Sequence, residues 1–179
     1  PTHDQARLPG HANVSGMFLE AALVFLVQSA QSGGACAGPP ELQAALARGA
    51  NAEVYSALGY WFVEHKRLAC AVPAFRSAVK LAPASFEARY NLGASLAETG
   101  DLAGAAEQLR AAVRLKPGDE NARGALAEVE KELEKGAARH FQRSLELIRA
   151  GRRAEAVAEL QRAISLKPDY AEALGNLGV

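Results

Sequence analysis

Small and apolar residues return along this chain at a fixed interval. Leu58-Gly59, Phe62, Ala71, Phe75, Ala78 and Pro83 recur 34 residues later as Leu92-Gly93, Leu96, Ala105, Leu109, Ala112 and Pro117. A third set follows as Leu147, Ala156, Leu160, Ala163 and Pro168. Inside each set the spacing is helical: Leu92 with Leu96, and Leu109 with Val113, each fall on one stripe. Over residues 86–119 the pattern predicts a first helix at about 86–99, ended by Gly100, which tolerates the left-handed cap conformation. Asp101 is placed to cap a second helix at about 103–115, and Pro117 cannot continue it. Gly93, Ala105 and Ala112 fall where the two helices cross closest, and a larger side chain there would force them apart. Each unit is then a helical hairpin that buries its apolar face only against its neighbours.

The interval breaks once. Pro117 and Pro168 are 51 residues apart, which is 34 plus 17. The additional half-unit, residues 120–136, is strongly helical, with Leu126, Val129 and Leu133 on one stripe. No proline separates it from the first helix of the next unit. The pattern predicts a single helix from about 119 to 149, near 45 Å long at about 1.5 Å per residue. Gly136 in its interior weakens it by about 1 kcal/mol relative to Ala, and a break there into two helices is the alternative.

These positions closely resemble the tetratricopeptide repeat family. Residues 86–119 carry nearly every signature position: Leu92, Gly93, Leu96, Ala105, Leu109, Ala112 and Pro117. Residues 52–85 depart at Lys66, where the turn usually has Gly, and at Pro73, tolerable within the first turn of a helix, where its missing donor is not needed. Residues 137–170 depart at Arg143-Ser144, where Leu-Gly is expected. The resemblance implies an all-α, right-handed superhelical solenoid of helix-turn-helix hairpins, with one long helix (about 119–149) joining two sub-arrays. The resulting divisions are a leader (1–16), a signal peptide or capping helix (17–32), and a turn with a capping helix (33–51). Two repeats (52–119), the half-unit (120–136), a third repeat (137–170) and the truncated first helix of a further repeat (171–179) follow.

The resemblance also implies a function. In this family the first helix of each hairpin lines a concave groove that holds a protein or an extended peptide. By register the groove here is lined by Glu53, Ser56, Tyr60 and Glu64, then Glu87, Tyr90, Asn91, Ala94 and Glu98. Phe141, Gln142, Leu145 and Arg149 continue it, and Asn176 begins a further row. Some relatives clamp a terminal carboxylate with Lys, Asn and Arg on this face; Glu53, Glu87, Ser56 and Tyr90 argue against that clamp. Asn91 and Asn176 sit where other relatives use an Asn ladder on a peptide backbone, an amide being both donor and acceptor. The plainer reading of each is a solvated consensus residue. Tyr60, Tyr90 and Phe141 offer flat amphipathic contacts or simply pack between neighbouring first helices. The four glutamates favour a partner carrying Lys or Arg.

The N-terminal residues change the picture of compartment. Residues 1–16 have no period and read as a loop, or as sequence upstream of a start at Met17. From Met17 the apolar run 21–27, followed by Ala30-Gln31-Ser32, resembles a secretory signal peptide, although Glu20 stands where a basic residue is expected. A buried capping helix is the alternative. The run is too short to span a membrane, which takes about 20 apolar residues. The two cysteines, Cys36 and Cys70, suit a disulfide in an oxidising compartment or two unpaired small buried residues. Together these features resemble secreted bacterial tetratricopeptide proteins and place the chain in the periplasm or outside the cell; the cytoplasm is the alternative.

Composition adds exclusions. Twenty Lys plus Arg balance twenty Asp plus Glu, so no global field recruits nucleic acid. The cluster Arg149, Arg152, Arg153 is offset by Glu146 and Glu155. None of His3, His11, His65 and His140 has metal-ligand spacing. His140 and Ser144 share a helix face but lack an orienting acid, so no nucleophile is indicated. No enzyme activity and no cofactor are expected. Two other readings remain: the targeting arm of a larger enzyme such as a glycosyltransferase, and an array that self-associates end to end through Leu174 and Leu177.

Overall fold

A computed structural model describes residues 36–178. The expected leader (1–16) and the signal peptide or capping helix (17–32) lie outside the described residues. Eight helices occur among those residues, and no strand: α1 (Pro40–Arg48), α2 (Ala52–Glu64), α3 (Leu68–Leu81), α4 (Phe86–Glu98), α5 (Leu102–Leu115), α6 (Glu120–Arg149), α7 (Arg153–Leu166) and α8 (Ala171–Leu177). All belong to one compact unit, Gly38–Val179. Each helix packs on the next in chain order, and α2, α4 and α6 also lie side by side. The result is a solenoid of hairpins α2–α3, α4–α5 and α6–α7.

The hairpins are cut by local chemistry. Asn51, Ser85, Asp101 and Asp119 each accept a backbone N–H of the helix that follows, at 2.9, 3.2, 3.0 and 2.8 Å, which satisfies donors a helix start otherwise leaves open. The turns inside the hairpins place one residue at positive φ: Lys66 (55°), Gly100 (88°) and Gly151 (76°). Pro73 does not fall in the first turn of its helix as the sequence reading required. It is the sixth residue of α3, and both Pro73 and Ala69, whose carbonyl loses a donor, are exposed. At an exposed position the carbonyl that the proline leaves open is within reach of solvent.

The crossings are as close as the small residues demand. Ala71, Ala78, Ala105, Ala112 and Ala163 are fully buried. A Cβ on Gly59 would meet the Phe75 ring at 2.5 Å, and one on Gly93 would meet Leu109 Cγ at 2.7 Å. The helix over the half-unit is continuous: α6 runs 30 residues through Gly136 without a break. Gly136 is buried because Leu166 of α7 reaches it, its Cδ1 3.0 Å from where a Cβ would stand. Two apolar clusters result among the described residues. One spans α2 to the middle of α6, with Leu42, Leu46 and Trp61 packed on its outer end. A smaller one holds Leu160, Ala163 and Ala173, flanked by Phe141, Ile164, Tyr170 and Leu177.

Candidate functional site

The expected groove residues lie on α2, α4, the second half of α6, and α8. On α2, Glu53, Tyr60 and Glu64 are exposed and Ser56 is half-buried. Tyr60 keeps 46 % of its surface accessible and Val63, one turn on, 37 %. The Tyr60 ring stands edge-on to Phe75 with centroids 5.5 Å apart, so one side is fixed by the core and the other faces out. On α4, Glu87 and Glu98 are exposed, while Tyr90, Asn91 and Ala94 are half-buried. The Asn91 amide donates to the Tyr60 hydroxyl at 2.5 Å, which ties α4 to α2 across the surface. Tyr90 stacks on Phe86 of its own helix, centroids 6.0 Å apart.

The later rows are looser. On α6, Phe141 and Leu145 are half-buried and Gln142 and Arg149 exposed. Phe141 tilts against Tyr170, centroids 5.2 Å apart, and Ile148 is 42 % exposed. Asn176 donates to the Glu172 carbonyl of its own helix at 2.8 Å.

The four glutamates are not equivalent. Lys116, at the end of α5, donates to Glu87 at 2.7 Å, and this hydrogen bond holds the Glu87 carboxyl below the usual carboxylate range. The same ammonium sits 4.2 Å from the Phe86 ring centroid. Among the described residues no cation pairs with Glu53, Glu64 or Glu98. The uncompensated negative charge therefore lies on α2 and at the end of α4.

Two polar staples inside the hairpins escaped the sequence reading. Arg89 of α4 donates to Gln108 of α5 at 2.9 Å. The same register in the last hairpin pairs His140 of α6 with Glu159 of α7 at 2.6 Å. Arg162 also donates to Glu159, whose side chain is 16 % exposed. Hydrogen bonding from His140, foremost, holds the Glu159 carboxyl below its ordinary value. The signal was present: Arg89 to His140 and Gln108 to Glu159 are both the 51-residue offset that separates Pro117 from Pro168.

The tetratricopeptide repeat family model matches residues 57–120 and 141–179. The chain belongs to the tetratricopeptide repeat family. The stretch left unmatched between the two segments, 121–140, takes in all but the first residue of the half-unit that interrupts the tetratricopeptide period. No curated protein matches the sequence. Among solved structures the chain is similar to MamA, with 20 % identity over 76 % of this chain and 71 % of that one, TM-score 0.44. It is similar to YrrB, described as a tetratricopeptide protein with an unusual peptide-binding site, with 24 % identity over 89 % and 72 %, TM-score 0.44. A third likeness is to an O-GlcNAc transferase of Thermobaculum terrenum, 24 % identical over 70 % of this chain and 21 % of that one, TM-score 0.43.

Proposed function

We propose that this chain is a non-catalytic scaffold that holds a basic protein segment or extended peptide against the first helices of its hairpins. The observation that carries this reading is the coincidence of exposed apolar surface on α2 with unpaired charge on α2 and at the end of α4. Tyr60 and Val63 are two of the six large hydrophobic side chains exposed among the described residues, and Glu53, Glu64 and Glu98 on the same two helices α2 and α4 have no cation paired with them among those residues. An aromatic anchor amid like charges suits a partner that brings the opposite charge. Asn91 serves this surface by orienting the Tyr60 hydroxyl.

The compartment belongs to the same proposal. No described helix is long and apolar enough to cross a membrane. A Cys36–Cys70 disulfide, the single pairing that the two cysteines of the sequence allow, suits an oxidising compartment. Thiol labelling before and after reduction checks it: two thiols reactive without reductant would remove this support for secretion.

The test of binding is selection of peptides from a random 12-residue display library on the purified chain. Recovered peptides are expected to be rich in Lys and Arg. The triple variant Glu53→Gln, Glu64→Gln, Glu98→Gln is expected to bind them about tenfold more weakly, since three exposed pairs at about 0.5 kcal/mol each sum to roughly one decade. Recovery of acidic or neutral peptides would reject the charge preference. Binding that survives Tyr60→Ala unchanged would reject the surface itself.

A further inference from the structure

The first helix of each hairpin carries a small residue where the second helix presses a large one. Gly59 lies under Phe75 and Gly93 under Leu109. Ser144 takes that place in the last hairpin, and it and its counterpart Leu160 are fully buried. The first half of α6 is in the same register. Glu120 opens it 34 residues after Phe86 opens α4, and Asp119 caps it as Ser85 caps α4. Arg123, Leu126 and Ala127 therefore stand where Arg89, Leu92 and Gly93 stand on α4. Yet no second helix follows them. The chain continues straight, and its next second helix, α7, is set by positions 17 residues further on. Seventeen residues make about 4.7 turns, so α7 leaves α6 on a face rotated by about a quarter turn.

The seat is visible as a cleft. Leu126 and Val113 of α5 are half-buried, and Arg123, Gly124 and Ala127 are exposed. With Glu120 and Glu130 they line an open cleft of about 610 Å³. Glu130 stands where Leu96 is buried in the preceding hairpin, and Arg110 holds it at 2.9 Å. That half-exposed ion pair makes one rim polar, while the centre of the cleft stays apolar. Arg123 has no anionic partner among the described residues.

We infer that this cleft docks an amphipathic helix from a partner protein, lying where the second helix of the missing hairpin would lie. The interface between α4 and α5 is continuous with the seat and states the chemistry of its occupant. There Leu109 rests on Gly93, Gln108 accepts from Arg89 at 2.9 Å, and Ala105 and Ala112, fully buried, let the helices close. The partner helix accordingly carries a leucine over Ala127, small residues four before and three after it, and a glutamate directly before it to meet Arg123. Ala127 leaves room for that leucine, because Ser144 already tolerates a Cβ at the equivalent place. The surface is separate from that of the binding reading above and stands or falls independently of it.

The probe is an end-blocked, fluorescent peptide with the α5 sequence LAGAAEQLRAAVRL, carrying Gln108→Glu. Saturable binding to the whole chain at a Kd under about 1 mM is expected by anisotropy. Ala127→Glu in the protein, or Leu109→Glu in the peptide, is expected to weaken it at least tenfold. Arg123→Glu should weaken it too, and a peptide with Gln108→Lys should restore binding to that variant. Because Arg123 and Ala127 are exposed, both variants are expected to fold, which thermal melting checks. No saturation at about 1 mM, or binding indifferent to Ala127→Glu and Arg123→Glu, would overturn the inference. A dimer of the chain that Ala127→Glu dissociates would put a second copy in the seat and overturn the assignment to a partner.

Discussion

Lys66 holds a backbone angle that the later turns leave to glycine. Its φ of 55° matches Gly100 and Gly151 in sign, and an L residue in that region carries a steric cost of roughly 1–2 kcal/mol. Lys66→Gly relieves it and adds freedom to the unfolded chain, so urea denaturation should show a net gain of about 0.5–1 kcal/mol. Gly93 gives the opposite result. A Cβ there would stand 2.7 Å from Leu109 Cγ and 3.2 Å from its backbone nitrogen, so α5 itself must move. Gly93→Ala should destabilise by about 1–2 kcal/mol despite alanine's better helix propensity. The departure at Lys66 and the need for a small residue at Gly93 were both legible in the period. The Asn91–Tyr60 bond and the neutralisation of Glu87 by Lys116 were not. Each joins residues on different helices, and the register of one helix on another is set by packing.

Within a hairpin or a long helix, the same Gly→Ala change reverses sign. Gly136 sits inside α6, where Ala is intrinsically better by about 1 kcal/mol. Among the described residues the one side chain within reach of its Cβ is the Leu166 methyl at 3.0 Å, the free end of a half-buried residue that can turn aside. Gly136→Ala should therefore raise stability by about 0.5 kcal/mol, read as a higher urea midpoint. The hairpin α6–α7 carries the acid-sensitive element. The Glu159 carboxyl is lowered from its ordinary value of 4.5 by His140 and then Arg162, so its stabilisation is present above pH 4.5 and is lost as pH falls through the lowered value. Glu159→Gln should be less stable than the parent at pH 7, and the gap between their urea midpoints should close as pH drops below 4.5. A gap independent of pH would show that the glutamate acts only by packing. The equivalent staple in α4–α5, Arg89 with Gln108, has no titrating carboxyl and supplies the neutral control.

Across the molecule, the larger apolar cluster runs from α2 to the middle of α6 and the smaller lies beyond it, with α6 common to both sub-arrays. The sequence by itself determined the hairpins. Period, glycine turns, caps and prolines are local signals, and they placed α4, α5 and α6 within a residue or two of their observed ends. For residues 120–149 the sequence favoured one helix but left a break at Gly136 open, and the structure decided that α6 runs through without one. Only the tertiary structure decided where Pro73 could stand, since its cost depends on whether Ala69 faces water. It likewise decided which groove glutamates keep their charge unpaired. The vacant seat beside Val113 and Ala127 also waited for it. A repeat count registers 17 additional residues, but whether the following helix covers them depends on the angle through which a helix turns in that length.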